Sequence, residues 1–307
     1  MEPFSLPDNA NLWRTDELLD RGLSHRRIAG LVSAGTLIRL RRGCFVRAAY
    51  WSGLDPDCAA RFRIEAYAHA TLTRSGGGSA FSHTSAARLH GLFLWQADGN
   101  IHLTVPYLPS SQAHAADVAT HTRPLTPAEV VTVGGLRATS LERTAADSCL
   151  ILGYRQGLIL MDHALRLGAA PEKLARYCDR YAGSAGVVTL RRVLAHADPR
   201  SESPGETLTR DLIRRLRLPS PALQFEVRTR LGTCRLDCAW PEARVALEFD
   251  GRRKYFDYAP TAETVFNERR REKALQELGW TVIRMEWRDL FREREFKTRL
   301  QAVLTGR

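Results

Sequence analysis

Residues 235–251 read Arg-Leu-Asp-Cys-Ala-Trp-Pro-Glu-Ala-Arg-Val-Ala-Leu-Glu-Phe-Asp-Gly, the pattern of two β-strands joined by a short turn. Side chains alternate between the two faces of a strand. In each strand the apolar positions fall on one face: Leu236, Cys238 and Trp240 in the first, and Val245, Leu247 and Phe249 in the second. We therefore predict a hairpin with one apolar face and one polar face.

The polar face of this hairpin carries three acidic side chains. A turn centred in the middle of residues 241–244 places Asp237 directly across from Glu248, with Cβ atoms about 5 Å apart. Asp250 follows two residues later on the same face. Like charges so placed destabilise a strand pair, and a divalent cation with oxygen ligands is a common counter-charge. The pattern predicts a Mg²⁺ (or Mn²⁺) site formed by Asp237, Glu248 and Asp250.

The C-terminal third, through these residues, resembles the PD-(D/E)XK nuclease superfamily in its very-short-patch-repair-like branch, the DUF559 group. The core of that superfamily runs helix, three strands, helix, strand. The same order is predicted here over residues 203–216, 225–230, 234–240, 245–250, 265–278 and 280–285. The resemblance implies a restriction-endonuclease-like αβββαβ domain over residues 201–307, acting as a metal-dependent endonuclease that hydrolyses phosphodiester bonds.

The resemblance also implies catalytic roles for particular residues. Asp237 stands at the first motif acid, Glu248 at the second, and Glu206 where relatives often carry an acid on the first helix. The usual lysine position, two residues after the second acid, holds Asp250, and Lys254 is the nearby residue that could supply the missing cation. This departure leaves open a nuclease fold without catalytic activity.

Each of these assignments has a structural alternative. Residues 203–206 match a helix capping box with proline at the first helical position, so Glu206 could serve the helix end alone. Asp237 and Glu248 could form a solvent-facing pair bridged by Arg235 or Arg271. Basic residues near the hairpin could contact nucleic acid or remain solvated; they are Arg252, Arg253 and Arg271.

Composition places the chain among soluble globular proteins. Its 307 residues allow two or three domains, with 44% hydrophobic and 26% charged residues. We find no run near the ~18 apolar residues of a membrane span, and residues 1–8 lack the features of a signal peptide. The six cysteines are scattered and do not show zinc-site spacing, which favours reduced thiols. We expect a cytoplasmic protein without a membrane partner.

The N-terminal region is strongly basic. The chain has a formal net charge of +11, and residues 21–47 contain seven arginines and no acid. Residues 13–19 are expected to open a first helix, with Thr15 as its N-cap, before Gly22 interrupts it. Ser24 is expected to cap a second helix over residues 25–34, and residues 37–47 read as a tight basic hairpin. That order predicts a winged helix-turn-helix over residues 1–55 that binds DNA. The predicted contacts are His25, Arg26 and Arg27 on the helix and Arg39, Arg41 and Arg42 on the wing.

Two alternatives to DNA binding stay open for these basic residues. A small helical domain can carry a solvated basic face, and a GC-rich genome raises arginine content throughout a protein. Clustering in one segment favours a polyanionic partner over a general excess.

Two segments resemble AbiEi-type antitoxins. They are residues 31–45, which read Leu-Val-Ser-Ala-Gly-Thr-Leu-Ile-Arg-Leu-Arg-Arg-Gly-Cys-Phe, and residues 139–147, which read Thr-Ser-Leu-Glu-Arg-Thr-Ala-Ala-Asp. The resemblance implies a middle α/β domain over residues 56–200, repression of the protein's own operon, and a toxin as operon partner. It supports the alternative function, a non-enzymatic DNA-binding repressor. The overall fold class expected is α/β, in several domains, and the sequence leaves the oligomeric state open.

The middle region offers weaker signals. Ser82, His83 and Asp147 are the residue types of a hydrolase triad, but no nucleophile elbow accompanies them, so we reject that interpretation. Arg143 and Asp147 are expected to form ion pairs on a helix surface or between domains. Asp162 and His163 are expected to be polar groups on a helix face and not metal ligands.

Overall fold

The computed structural model describes residues 11–69, 78–106, 115–251 and 262–306, with only the backbone for residues 262–265. The chain divides into two compact units, Met1–Ile151 and Leu152–Arg307. Both combine helices with β-sheet, which confirms the α/β class. The domain boundaries expected after residues 55 and 200 stay predictions. No helix in the described ranges combines the length and apolarity needed to cross a membrane.

The first unit begins with a small module of helices and antiparallel strands. Its elements are β1 (Leu12–Arg14), α1 (Thr15–Asp20), α2 (His25–Ser33), β2 (Leu37–Arg41), β3 (Cys44–Arg47), α3 (Ala48–Ser52) and α4 (Pro56–Tyr67). The sheet order is β1-β3-β2. Ser24 caps α2 as expected, because its Oγ accepts a hydrogen bond from Arg27 N at 3.2 Å. Gly35, at φ +70°, then lets the chain leave the helix.

One local prediction for this module was wrong. We expected Trp13 to open the first helix with Thr15 as its N-cap. Instead Trp13 lies in β1, opposite Phe45 of β3, and the helix begins at Thr15 with Arg14 as its N-cap. The indole is 1% exposed and belongs to the core of the module, so burial of a large aromatic ring outweighs the capping preference.

A second sheet fills the rest of the first unit. Its elements are β4 (Ala80–Phe81), α5 (His83–Leu89), β5 (Ile101–Val105), β6 (Val118–Thr122), β7 (Val130–Val133), β8 (Leu136–Thr139) and α6 (Leu141–Ile151). The strand order is β6-β5-β4-β8-β7. β5 and β6 are parallel, and β4 runs antiparallel to β5. An apolar core between this sheet and its helices includes Phe81, Ile101 and Leu103.

The second unit joins a helical segment to a four-stranded sheet. Its elements are α7 (Tyr154–Arg166), α8 (Pro171–Arg180), α9 (Val187–His196), α10 (Pro204–Arg215), β9 (Ala222–Thr229), β10 (Gly232–Trp240), β11 (Val245–Phe249), α11 (Ala262–Glu277), β12 (Thr281–Met285) and α12 (Glu293–Leu304). From α10 to β12 the order is helix, three strands, helix, strand, and each element overlaps its predicted segment.

The sheet of the second unit has the strand order β12-β11-β10-β9. β9, β10 and β11 are antiparallel, while β11 and β12 are parallel and α11 lies between them in the chain. The hairpin of residues 235–251 is therefore in the middle of the sheet. Val245, Ala246 and Leu247 are all at most 1% exposed, so both faces of β11 are covered. The alternative of a solvent-facing acid pair does not fit Glu248, which is 8% exposed on the polar face of β11. α10 packs against β11, and α11 packs against β9 and β12.

Candidate functional site

The strand register brings the two motif acids together at the end of the β10–β11 pairing. Cys238 pairs with Leu247, so the next positions along the two strands are Asp237 and Glu248. Beyond that pair the backbone N–H of Phe249 donates a hydrogen bond to Oδ2 of Asp237 at 2.9 Å. The backbone hydrogen bonds between β10 and β11 therefore end at this side-chain carboxylate, which takes the place of a backbone acceptor. The predicted register of these two residues agrees with the observed pairing.

Glu248 is held by arginine inside the protein. It is 8% exposed, and its Oε1 accepts a hydrogen bond from Nη2 of Arg271 at 2.6 Å. The same nitrogen of Arg271 lies 2.6 Å from the carbonyl oxygen of Arg235. Oε2 of Glu248 is 3.9 Å from Nη2 of Arg284. Arg271, which the sequence suggested for nucleic-acid contact, thus orients a catalytic candidate. The Arg235 side chain pairs with Glu202 at 2.6 Å.

Glu206 serves the start of α10 in the described structure. Its backbone N–H donates to Oγ of Ser203 at 3.2 Å, which is the expected helix cap. Its Oε2 accepts hydrogen bonds of 2.9 Å from the backbone N–H of Glu202 and from Nε2 of Gln224. The capping interpretation of Glu206 therefore has a direct structural basis, and the side chain still lies close enough to Asp237 for the two charges to interact.

The three carboxyl groups share an unfavourable electrostatic environment. Burial is the largest cause that raises the pKa of Glu206, Asp237 and Glu248. The charge of Asp237 raises the pKa of both Glu206 and Glu248 further. Arg271 acts in the opposite direction on Asp237 and Glu248. A cluster of this kind gains stability from an added cation, because the cation favours the ionised form of each group.

The donor set fits Mg²⁺ chemically. Mg²⁺ prefers oxygen ligands and is often held by one or two carboxylates, with water and substrate phosphate completing the shell. Asp237 and Glu248 supply two such carboxylates. Across the described ranges, however, these acids do not form a group of three whose ligand oxygens all lie within 4.8 Å of one another. The structure thus offers a pair of carboxylates and not a complete protein cage.

The remaining predicted catalytic and metal-binding residues follow β11 in the chain. Asp250 follows β11, and its backbone N–H donates to the carbonyl oxygen of Met285 at 2.8 Å. Lys254, Arg252 and Arg253 lie outside the described residues. Their predicted roles stay predictions.

The predicted DNA-contacting residues lie mostly on the surface of the N-terminal module. His25, Arg26 and Arg27 are exposed on the first turn of α2, where backbone N–H groups also point outward. Arg39 and Arg42 are exposed on the β2–β3 hairpin. Arg41 differs, because its guanidinium pairs with Asp117 and lies 5.8 Å from the ring centroid of Tyr67. Arg41 therefore ties the hairpin to the rest of its unit.

The buried charges of the first unit correct another expectation. Arg143 and Asp147 are fully buried, and Nε of Arg143 donates to Oδ2 of Asp147 at 2.7 Å. Nη1 of Arg143 contacts Oε1 of Glu129 at 3.0 Å. The predicted surface or interdomain ion pair is instead an interior network of one unit. The same network occupies Asp147 with arginine, which agrees with our rejection of a Ser82, His83, Asp147 triad.

Asp162 is also buried, where we expected a polar helix face. Its Oδ2 accepts hydrogen bonds of 2.7 Å from Thr207 and Arg210, and its Oδ1 accepts one of 2.8 Å from the backbone of Asp198. The side chain thus fastens the segment before α10 to α7. This role is structural, and the expectation that Asp162 is not a metal ligand stays a prediction.

The structure contains a cluster of three histidines that the sequence analysis did not identify. His83, His102 and His121 each offer a ring nitrogen, and these atoms all lie within 4.8 Å of one another. Burial, followed by the neighbouring histidines, lowers the pKa of His83 well below its usual value and that of His121 to about 4. The sequence offered one signal for this cluster. Residues 101–105 form an otherwise apolar strand, but two alternate positions hold polar residues, His102 and Thr104.

The chain is similar in part to two mycobacterial proteins. No family model matches the chain. Two uncharacterized proteins of Mycobacterium tuberculosis, MT2308 of strain CDC 1551 and Rv2248 of strain H37Rv, are each 31% identical over 163 residues, which is 52% of this chain. The chain spans 59% of the length of these relatives. The crystal structure of the RV2827C protein from Mycobacterium tuberculosis aligns with a TM-score of 0.37 at 15% identity, covering 61% of this chain and 77% of that one.

Proposed function

We propose that this chain is a DNA-binding protein whose second unit is a Mg²⁺-dependent endonuclease. The observation that carries the proposal is the placement of Asp237 beside Glu248 at the end of the β10–β11 pairing, within the order helix, three strands, helix, strand. Asp237 is half-buried and Glu248 is buried. Two carboxylates held side by side on neighbouring strands are suited to bind a cation, and their repulsion is unfavourable without one.

Asp237 and Glu248 hold the metal in this proposal, and Asp250 or Glu206 completes the protein ligands. When bound, Mg²⁺ supplies Lewis-acid activation of a phosphate oxygen and lowers the pKa of a coordinated water. The N–H of Phe249 fixes Oδ2 of Asp237 and so orients the whole carboxylate. Arg271 fixes Oε1 of Glu248 and places a positive charge beside the carboxylate pair, where it would stabilise charge on a bound phosphate.

Two further groups have proposed parts in the reaction. Lys254 orients or deprotonates the attacking water, or stabilises charge that develops on the phosphate. Delivery of DNA falls to the first unit, through the exposed residues of the α2 N-terminus and of the β2–β3 hairpin. Helix N-termini favour phosphate groups because of their outward N–H groups, and arginine contacts phosphate through two donors.

The second candidate function is a non-enzymatic DNA-binding repressor of the AbiEi kind, with a toxin as partner. One observation favours it. Arg271 already neutralises Glu248 at 2.6 Å, and Arg284 lies near the other oxygen. In this alternative the acid and the arginines stabilise the sheet, and the nuclease fold acts as a scaffold.

A cleavage assay separates the two functions. Supercoiled plasmid and single-stranded DNA are incubated with Mg²⁺ or Mn²⁺ and either the parent protein or the double variant Asp237→Asn, Glu248→Gln. The matched control is Glu226→Gln, which removes an exposed acid from β9 of the same sheet. Cleavage by the parent and the control but not by the double variant supports the nuclease. DNA binding without cleavage by any of the three supports the repressor.

A further inference from the structure

Three histidines from consecutive elements of the first unit meet on one side of its larger sheet. His102 lies on β5 and His121 on the parallel strand β6. His102 is the register partner of Ala119, two residues before His121, so both histidines share a face. His83 is the first residue of α5, and the backbone N–H of Ser82, between β4 and that helix, donates to the carbonyl oxygen of His102 at 3.0 Å. Strand pairing thus brings His102 and His121 together, and the Ser82 hydrogen bond places His83 beside them.

The rings approach one another closely enough for one ion. Nδ1 of His102 lies 2.9 Å from Nε2 of His121. The His83 and His121 rings are stacked with centroids 3.6 Å apart, and His83 is 5.7 Å from His102. Zinc bound to histidine has Zn–N distances of about 2.0–2.1 Å, which places two ligand nitrogens about 3.3 Å apart in a tetrahedral site. Metal binding therefore requires the His102–His121 contact to open slightly and the stacked rings of His83 and His121 to turn, so that both lone pairs point at one ion.

Hydrogen bonds to the outer nitrogens prepare the cluster for a cation. Nε2 of His102 lies 3.2 Å from Oδ1 of Asp98, and an ionised carboxylate can only accept, so this nitrogen carries the proton. Nδ1 of His102 then presents its lone pair to the cluster. On the other side Oγ of Ser82 lies 2.9 Å from Nδ1 of His83. Histidine ligands of metals are commonly oriented by such carboxylate and hydroxyl contacts.

Two further features beside the three histidines are energetically unfavourable without a ligand. His83 has φ +49°, a left-handed conformation that is uncommon for residues other than glycine and that clusters at functional sites. Thr104, the register partner of His121, is fully buried, and its Oγ1 has no hydrogen-bond partner in the part of the chain that the structure describes. A hydroxyl beside the three rings is suited to hold a water at the open position of a three-histidine site.

We propose that His83, His102 and His121 form a binding site for a divalent transition-metal ion, with Zn²⁺ as the ion of choice. Neutral imidazole is a preferred ligand of zinc, and three such ligands leave a fourth position for water. Asp98 is a positioning residue that acts through His102. The site lies in the first unit and is independent of the carboxylates of the second, so it does not rest on the proposed nuclease.

Zinc titration of the full-length, chelator-stripped protein tests the proposal. Cys58→Ser serves as the parent background, because Cys58 is an exposed thiol that could bind zinc itself. We expect this parent, in excess Mg²⁺ to occupy the carboxylates of the second unit, to bind one equivalent of Zn²⁺ by calorimetry and to melt at a higher temperature with it. Asp98→Asn should weaken binding about 10- to 100-fold, and His121→Gln should weaken it by more. His69→Gln, at an exposed histidine of the same unit, is the matched control for histidine loss and should bind zinc normally.

Zinc X-ray absorption of the loaded parent keeps the test decisive if His121→Gln does not fold. We expect imidazole nitrogens at about 2.0–2.1 Å, whereas thiolate ligands would appear at about 2.3 Å. Absence of a bound equivalent in the parent would overturn the site and leave a hydrogen-bonded chain from Asp98 through His102 to His121. Equal affinity in His121→Gln, or a thiolate signal, would overturn it as well.

Discussion

Asp237 carries a charge that the folded protein disfavours. Its pKa is raised, chiefly by burial, so folding favours the protonated form. The stability that this group contributes is fully present below its unfolded pKa of about 3.9, and it is lost as the pH rises through the higher folded-state pKa. At neutral pH without metal, the ionised carboxylate therefore costs stability.

Replacing Asp237 by asparagine should stabilise the metal-free protein. The amide oxygen can still accept the hydrogen bond from Phe249, while the buried charge is gone. We expect Asp237→Asn to raise the melting temperature in chelator at about pH 7.5, and this gain to shrink at about pH 4. Thermal melts at the two pH values measure it. A lower melting temperature at neutral pH would mean that the charge is compensated within the protein.

Arg143 tests the buried ion network of the first unit. Arg143→Met leaves Glu129 and Asp147 buried without this counter-charge, which typically costs about 3–5 kcal/mol. The matched control is Arg61→Met, which removes a mostly exposed partner of Glu65 and should cost less than about 1 kcal/mol. Denaturant unfolding gives both free energies. Similar small values for the two variants would refute the structural role assigned to Arg143.

At the scale of whole elements, local pattern predicted much of the second unit. Alternation located the hairpin strands, and Ser203 marked the start of α10 because a cap is a local interaction. Burial of both faces of β11 was not predictable. Alternation of apolar and polar residues identifies one buried face of a strand, but it gives no information about helices that cover the other face. Local pattern does not choose between Arg235 and Arg271 as the partner of Glu248, because that contact depends on how α11 packs.

In the first unit, too, local interactions were predictable from the sequence and long-range contacts were not. The Ser24 cap and the basic hairpin were readable from neighbouring residues. The clustering of His83, His102 and His121 was not predictable from neighbouring residues. Consecutive members are 19 residues apart in the sequence, and pairing within the sheet brings them together. Arg41 is indistinguishable in sequence from its exposed neighbours, and its pairing with the distant Asp117 requires tertiary structure.

The contact between α10 and β11 depends on a glycine. A Cβ atom added to Gly205 would overlap the aromatic ring of Phe249, one residue after Glu248. We expect Gly205→Ala to destabilise the protein by about 1–3 kcal/mol through overpacking. Gly30→Ala in α2 is the control, because open space surrounds that position and alanine favours helix. Equal stability of the two variants in denaturant unfolding would contradict the close packing.

At the scale of the whole molecule, DNA binding and the proposed Mg²⁺ site are assigned to different units and should be separable. Arg26→Ala with Arg27→Ala should reduce the log–log salt slope of DNA binding by about 1.8 in magnitude, if each contacts one phosphate. The same change in net charge made by Arg176→Ala with Arg294→Ala should leave the slope close to that of the parent. Fluorescence anisotropy across salt concentrations measures both. Equal effects of the two pairs would indicate only a general charge effect.

The most direct test of the proposed catalytic site is anomalous diffraction from a crystal soaked in Mn²⁺. We predict a peak between the carboxylates of Asp237 and Glu248, with metal–oxygen distances of about 2.0–2.2 Å, as expected for a small divalent ion with oxygen ligands. The peak should be absent from Asp237→Asn, Glu248→Gln crystals treated in the same way. No peak at this position in the parent protein, with Arg271 still bound to Glu248, would contradict the nuclease and leave the DNA-binding repressor.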